Sequence, residues 1–173
     1  MRPALYVLVY LAAITAANLI TTHYAGLGHP EVSVYTALGL VALDLVVRDQ
    51  LHDLWPTPLR RWVGLGALIV AGSAISYAVN RDAATIAVAS CAAFAAAFTV
   101  DSLVYELGRH RRWPWLERSN ASNVVAAAVD SVVFVALAFP GFLFLVAFGQ
   151  FTAKVAGGVI FSLVLARQKA QTA

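Results

Sequence analysis

Residues 84–107 read ATIAVASCAAFAAAFTVDSLVYEL. The run carries no charge before Asp101 and contains neither proline nor glycine. A helix needs about 20 apolar residues to cross the roughly 30 Å hydrocarbon core of a bilayer, and this stretch is long enough. Five further segments approach the same length and character, at 4–20, 32–47, 62–79, 120–139 and 143–166. Breakers separate them. Gly26, Gly28 and Pro30 divide the first pair, Pro56 and Pro58 precede the third, Asn80-Arg81-Asp82 marks a tight return, and Pro140-Gly141 a tighter one.

The whole chain agrees with this reading. It has 173 residues, 61% hydrophobic and 12% charged, with a mean hydropathy of +0.76. A soluble domain carries about a quarter charged residues. The sequence therefore predicts an all-α membrane protein, one transmembrane domain over 1–173 with six spans. No internal repeat stands out, so an inverted-repeat transporter is not supported.

Lysine and arginine in short loops set orientation. Arg2, then Arg48, Arg60 and Arg61, then Arg109, Arg111, Arg112 and Arg118, then Arg167 and Lys169 all fall on one side of a six-span chain. The other side has only Arg81, and Lys154 lies within a span. Both ends are predicted to be cytoplasmic (N-in, C-in), in a multi-pass protein of a bacterial inner membrane. Reading the first run as a cleaved signal peptide would leave five spans and spoil this alternation. The net charge of +3 and pI of 9.3 do not point to nucleic acid, because the arginines bracket apolar runs. Arg109–Arg112 with Trp113 and Trp115 fits a membrane surface, where it meets lipid headgroups.

Cys91 is the one cysteine, and His23, His29, His52 and His110 show no ligand spacing. No metal or cofactor is expected. The motifs of serine hydrolases and zinc peptidases are missing, and Ser73, Ser90 and Ser102 have no histidine at membrane depth to activate them. The chain does not read as an enzyme.

The informative residues are polar ones inside apolar helices. A charge at bilayer depth costs roughly 2.5–3.5 kcal/mol. Asp101, Asp130 and Lys154 together would cost on the order of 8–10 kcal/mol, comparable to the whole stability of a typical domain, about 5–15 kcal/mol. Such groups persist when paired or facing a wet cavity. An Asp130–Lys154 pair could simply lock the fifth and sixth helices together, but it would not account for Asp44, Asp101, Asn18 and Asn123. Asp44 and Arg48 lie four apart, so Arg48 can neutralise Asp44. Asn123 and Asp130 lie seven apart on one face, and Gln150 and Lys154 four apart. Asn18, Asp44, Arg48, Asp101, Asn123, Asp130, Gln150 and Lys154 are thus the candidate substrate-binding set, converging on a central polar pocket. A carboxylate there would accept two parallel hydrogen bonds from an amidine-like edge, and an ammonium would suit a neighbouring carbonyl. A purine-like solute fits this chemistry; a sugar or a carboxylate-bearing vitamin could use the same groups.

In these residues the sequence resembles the queuosine-precursor transporters, the VUT or vitamin-uptake-like membrane proteins, over nearly its whole length. The resemblance rests on Asn18 in the first helix, Asp44-Leu45-Val46-Val47-Arg48 in the second, and Asp101 late in the fourth. It continues through Arg118-Ser119-Asn120-Ala121-Ser122-Asn123, Asp130-Ser131-Val132-Val133-Phe134 and Lys154. Ala127 stands where the family often has a polar residue, and the last helix lacks an expected proline. The resemblance implies a bundle similar to the substrate-binding subunits of energy-coupling-factor transporters. It also implies uptake of 7-cyano-7-deazaguanine, 7-aminomethyl-7-deazaguanine or queuine by a solitary carrier without a partner ATPase. The alternative is a binding subunit for another small vitamin-like molecule that needs a partner energising module. Its docking strip would be Ala12/Ala16 and Ala13/Ala17 on the first helix. A homo-oligomer is left open.

Overall fold

The computed structural model describes residues 3–55 and 57–172. Arg2 and Pro56, used above, lie outside them, as do the side chains of His52, Pro58 and Lys169. The helices are α1 (Pro3–Gly26), α2 (Val32–Thr36), a π-helical turn (Ala37–Val41), α3 (Ala42–Leu54), α4 (Pro58–Val79), a 3-10 turn (Arg81–Ala83), α5 (Ala84–His110), α6 (Trp115–Ala138) and α7 (Phe144–Thr172). Ala37 and Ala42, at the two joints of the π turn, keep helical dihedrals (φ −65° at both). Thus α2, the π turn and α3 form one rod, and the chain makes six rods with no strand among the described residues.

The second rod departs from expectation. It runs on to Leu54 instead of stopping at 47, because Arg48, Asp49 and Gln50 are buried against neighbouring helices and do not form a loop. Arg48 therefore leaves the set of loop arginines that indicated orientation. Five rods are long and apolar enough to cross a membrane. The second is not among them, because Asp44, Arg48, Asp49 and Asp53 interrupt its hydropathy.

Small residues bring the rods close. Ala89, Ala93 and Ala97 of α5 and Ala126 and Ala127 of α6 have no exposed surface, and α5 packs along α6 through them. Gly157 of α7 sits so near the Leu38 carbonyl in the π turn that an added Cβ would collide with backbone. A cluster of Tyr10, Ile14, Val47, Leu51, Leu65, Ile69, Phe94 and Phe98 joins α1, α3, α4 and α5. A second, of Ile86, Val135, Phe139 and Ala147, ties α5, α6 and α7 together at the other end. Outward-facing Leu8, Val63, Val70, Val88, Leu103, Leu145 and Ile160 are exposed, as a lipid-facing surface requires. The apolar faces thus point outward as well as inward, and the polar side chains are collected inside.

Candidate functional site

The buried polar side chains form two groups along the bundle. The first lies in the half away from the arginine-rich turns. Lys154 Nζ is 2.6 Å from Asp130 Oδ2, and donates to Gln150 Oε1 at 2.9 Å and Ser131 Oγ at 3.1 Å. The Gln150 amide donates in turn to Ser33 Oγ at 2.9 Å. Across from them, Asn18 donates to Ser76 Oγ at 3.0 Å, and the Ser76 hydroxyl donates in turn to the Gly72 carbonyl at 2.8 Å. Thr21 and Thr36 approach to 3.4 Å between α1 and α2.

These residues enclose a chamber. Asn18, Thr21, Ser33, Thr36, Ser90, Asp130, Gln150 and Lys154 supply its polar wall, and Ala17, Val41, Phe94 and Phe134 its apolar wall. The space in which a water molecule's centre fits is about 20 Å³, enough for about one water. In this conformation the chamber is shut.

The second group lies toward the arginine-rich end. The Arg48 guanidinium is 3.3 Å from Asp101 Oδ2. Asp49 accepts hydrogen bonds from the Ser119 hydroxyl and, at 3.2 Å, from the Asn123 amide. Arg118 reaches both Asp53 oxygens at 3.4 Å and lies over the Tyr105 ring. At the rim, Arg61 holds Glu106 at 2.6 Å and the Trp55 carbonyl at 2.9 Å. Asp44 sits between the two groups, fully buried, and neither of its oxygens has a hydrogen-bond partner.

A family model described as "Putative vitamin uptake transporter" matches residues 5–167, from the start of α1 into the last turns of α7. The chain belongs to this family. Searches among curated proteins and among solved structures return no match. A family match across all six rods, five of them long and apolar, makes the chain a multi-pass membrane protein of a transporter family.

Within this member of the family, the residues singled out by sequence divide. Asn18, Asp130, Gln150 and Lys154 line the chamber. Arg48, Asp101 and Asn123 belong to the second group, and Asp44 does not reach the chamber wall. The Asp44–Arg48 pairing expected from their spacing is replaced, since the guanidinium turns to Asp101 on α5. Asn123 and Asp130 share a face of α6 but stand two turns apart, about 10 Å, so each serves a different group.

Sequence reasoning missed Asp49, because it lay in what read as a loop. It also missed Ser33 and Thr36, and noted Ser131 only as part of the Asp130 motif; these three complete the chamber's hydrogen bonds. Ser33 and Thr36 stand three apart, which was a usable signal. For Asp49 the signal was its place beside an Arg48 that continues a helix.

Proposed function

We propose that this transporter imports 7-deazaguanine precursors of queuosine (7-cyano-7-deazaguanine, 7-aminomethyl-7-deazaguanine or queuine) through the chamber. The observation that carries this reading is the Asp130–Lys154 pair, with Gln150 beside it, set in a wall that also contains Phe94 and Phe134. A guanine-like edge presents an N–H and an exocyclic amine side by side, which a carboxylate accepts as two parallel hydrogen bonds. Lys154 then donates to the adjacent carbonyl, and an aromatic side chain offers a face to a flat ring. A planar base would thus replace, group for group, the hydrogen bonds that the chamber residues now make with one another. The resemblance in the Asn18, Asp130-Ser131 and Lys154 motifs supports the same class.

The shut chamber must widen to admit a base. The wall best placed to move is α2, which brings Ser33 and Thr36 and is joined to α3 through the π turn. Such turns replace regular i→i−4 bonding and are common at functional sites. Gly39, within the turn, has no atom near its missing Cβ. Swinging α2 outward would break the Ser33–Gln150 and Thr21–Thr36 hydrogen bonds and lift Val34 off Gly149 of α7. In the proposed topology all six rods span a bacterial inner membrane, both ends are cytoplasmic, and the chamber opens on the outer side. The protein works without a partner ATPase.

Binding to the purified protein tests this. Thermal shift should rise with 7-cyano-7-deazaguanine or 7-aminomethyl-7-deazaguanine, not with thiamin or biotin, and Asp130→Asn should abolish the response. Stabilisation by a vitamin and by no deazaguanine base would overturn the substrate. Uptake only when an energising module is co-expressed would overturn the solitary carrier.

A further inference from the structure

The interior holds more buried acid than buried base. Asp44, Asp49, Asp101 and Asp130 are at most 3% exposed, against Arg48 and Lys154 at 1% each. Lys154 takes Asp130 and Arg48 takes Asp101. Asp49 has the Ser119 hydroxyl and the Asn123 amide. Asp44 has nothing, although it is 0% exposed. A buried carboxylate with no hydrogen-bond donor, whose nearest cation is already paired with another carboxylate, is too costly to keep, and a group so placed neutralises itself by holding a proton.

Its surroundings choose the proton over a metal ion. Tyr10 of α1, Arg48 of α3 itself and Asp130 of α6 are the titratable groups that face it. Asp101 of α5 and Lys154 of α7 stand one ion pair further off, and α4 brings no charge to it. A guanidinium one helical turn away repels a metal cation, and among the described residues no three His, Cys, Asp or Glu side chains converge. Arg48 also holds donors in reserve, since its Nε and Nη1 make no hydrogen bond while Nη2 faces Asp101.

We propose that Asp44 is the coupling-proton site of this transporter, protonated while the bundle is closed and deprotonated toward the cytoplasm when the Arg48–Asp101 pair opens. This inference rests on the chamber being the substrate site. In the step, the O–H bond of the Asp44 carboxyl breaks and the proton passes to cytoplasmic water. The carboxylate left behind takes the free N–H donors of Arg48. Return to the outward-open form lets a proton from the outer side, entering through the widened chamber past Asp130, re-form the O–H bond. Asp44 is not part of the chamber wall, so its charge can change without removing a contact to the base.

Three measurements on the full chain test the assignment. The infrared spectrum of the purified wild type should contain the carbonyl stretch of a protonated carboxyl group, lost in Asp44→Asn. Because asparagine mimics the neutral acid, Asp44→Asn should unfold at the wild-type temperature, whereas a charge paired to Arg48 would make that variant less stable. In proteoliposomes with radiolabelled 7-cyano-7-deazaguanine, an inward gradient of about one pH unit should support roughly tenfold accumulation by wild type, if one proton accompanies each base. Asp44→Asn should bind and exchange the base across the membrane, yet accumulate none. Gradient-driven accumulation by Asp44→Asn, or a wild type indifferent to the gradient, would overturn the proposal. A wild type that moves no base refutes the substrate reading instead, and the infrared band then decides Asp44 by itself.

Discussion

Lys154 shows what a single residue must satisfy inside this protein. Its ammonium is buried to 1% exposure, and Asp130, Gln150 and Ser131 all meet it. Removing one partner of a buried pair leaves the other uncompensated, at about 3–5 kcal/mol. Lys154→Ala is therefore expected to lower stability by about that much and to abolish base binding. Asp130→Asn combined with Lys154→Met, which leaves no buried charge, should recover most of the stability and none of the binding. Melting and binding measured on the same preparations separate the two effects, and a double variant that binds would make the pair a helix lock. Asp49 poses a different case, because its partners are neutral donors. Asp49→Ala strands the Ser119 hydroxyl and the Asn123 amide, so it should cost about 1–3 kcal/mol. Base binding should be preserved, since neither group lines the chamber.

Among the elements, the α5–α6 turn carries strain that one substitution can relieve. Trp113 N–H donates to the Gly108 carbonyl at 2.9 Å and Arg112 N–H to the Arg109 carbonyl at 3.0 Å, the bond pattern of a Schellman cap. The left-handed position of that cap, usually glycine, is Arg112, at φ 59°. Arg112→Gly should raise stability by about 1 kcal/mol while Arg112→Ala does not; melting temperatures of the pair check this. Gly157 is the opposite case. Gly157→Ala sets a methyl against the Leu38 carbonyl of the π turn and against Ala42, and neither can step aside. The expected loss is about 1–3 kcal/mol, with base binding weakened as well, because α7 carries Gln150 and Lys154 and is seated on the π turn by this glycine.

The whole molecule arranges its polarity along one axis, with the chamber in one half and the Arg48, Asp49, Asp101 and Arg118 network in the other. With Arg48 buried, orientation rests on the remaining arginines and Lys169, which still favour one side. A Cys91→Ser background with one new cysteine tests this. Glu31→Cys should react with a membrane-impermeant maleimide on intact cells, and Arg111→Cys only after permeabilisation. The reverse order would invert the topology and, with it, the side from which the base enters.

Six helices were legible in the sequence because the length and hydropathy of each run are local properties, and five of the six are long and apolar enough to cross a bilayer. The cost of intramembrane polarity is equally local: charge pointed at Asp101, Asp130 and Lys154, and buried amides at Asn18 and Gln150, before any contact was known. Partner choice was not legible. It depends on how rods are rotated and how deep each sits, and the π turn adds to the difficulty: its wider turn changes the phase between α2 and α3, so helical spacing cannot be carried across it. Asp44 and Arg48 both lie past that turn, on α3, yet the guanidinium meets Asp101 on another rod and not Asp44 one turn away. The same packing turned Asp49 from a loop residue into a buried acceptor and left Asp44 alone. Sequence fixes what a buried charge costs; only the assembled bundle decides which charge goes without a partner.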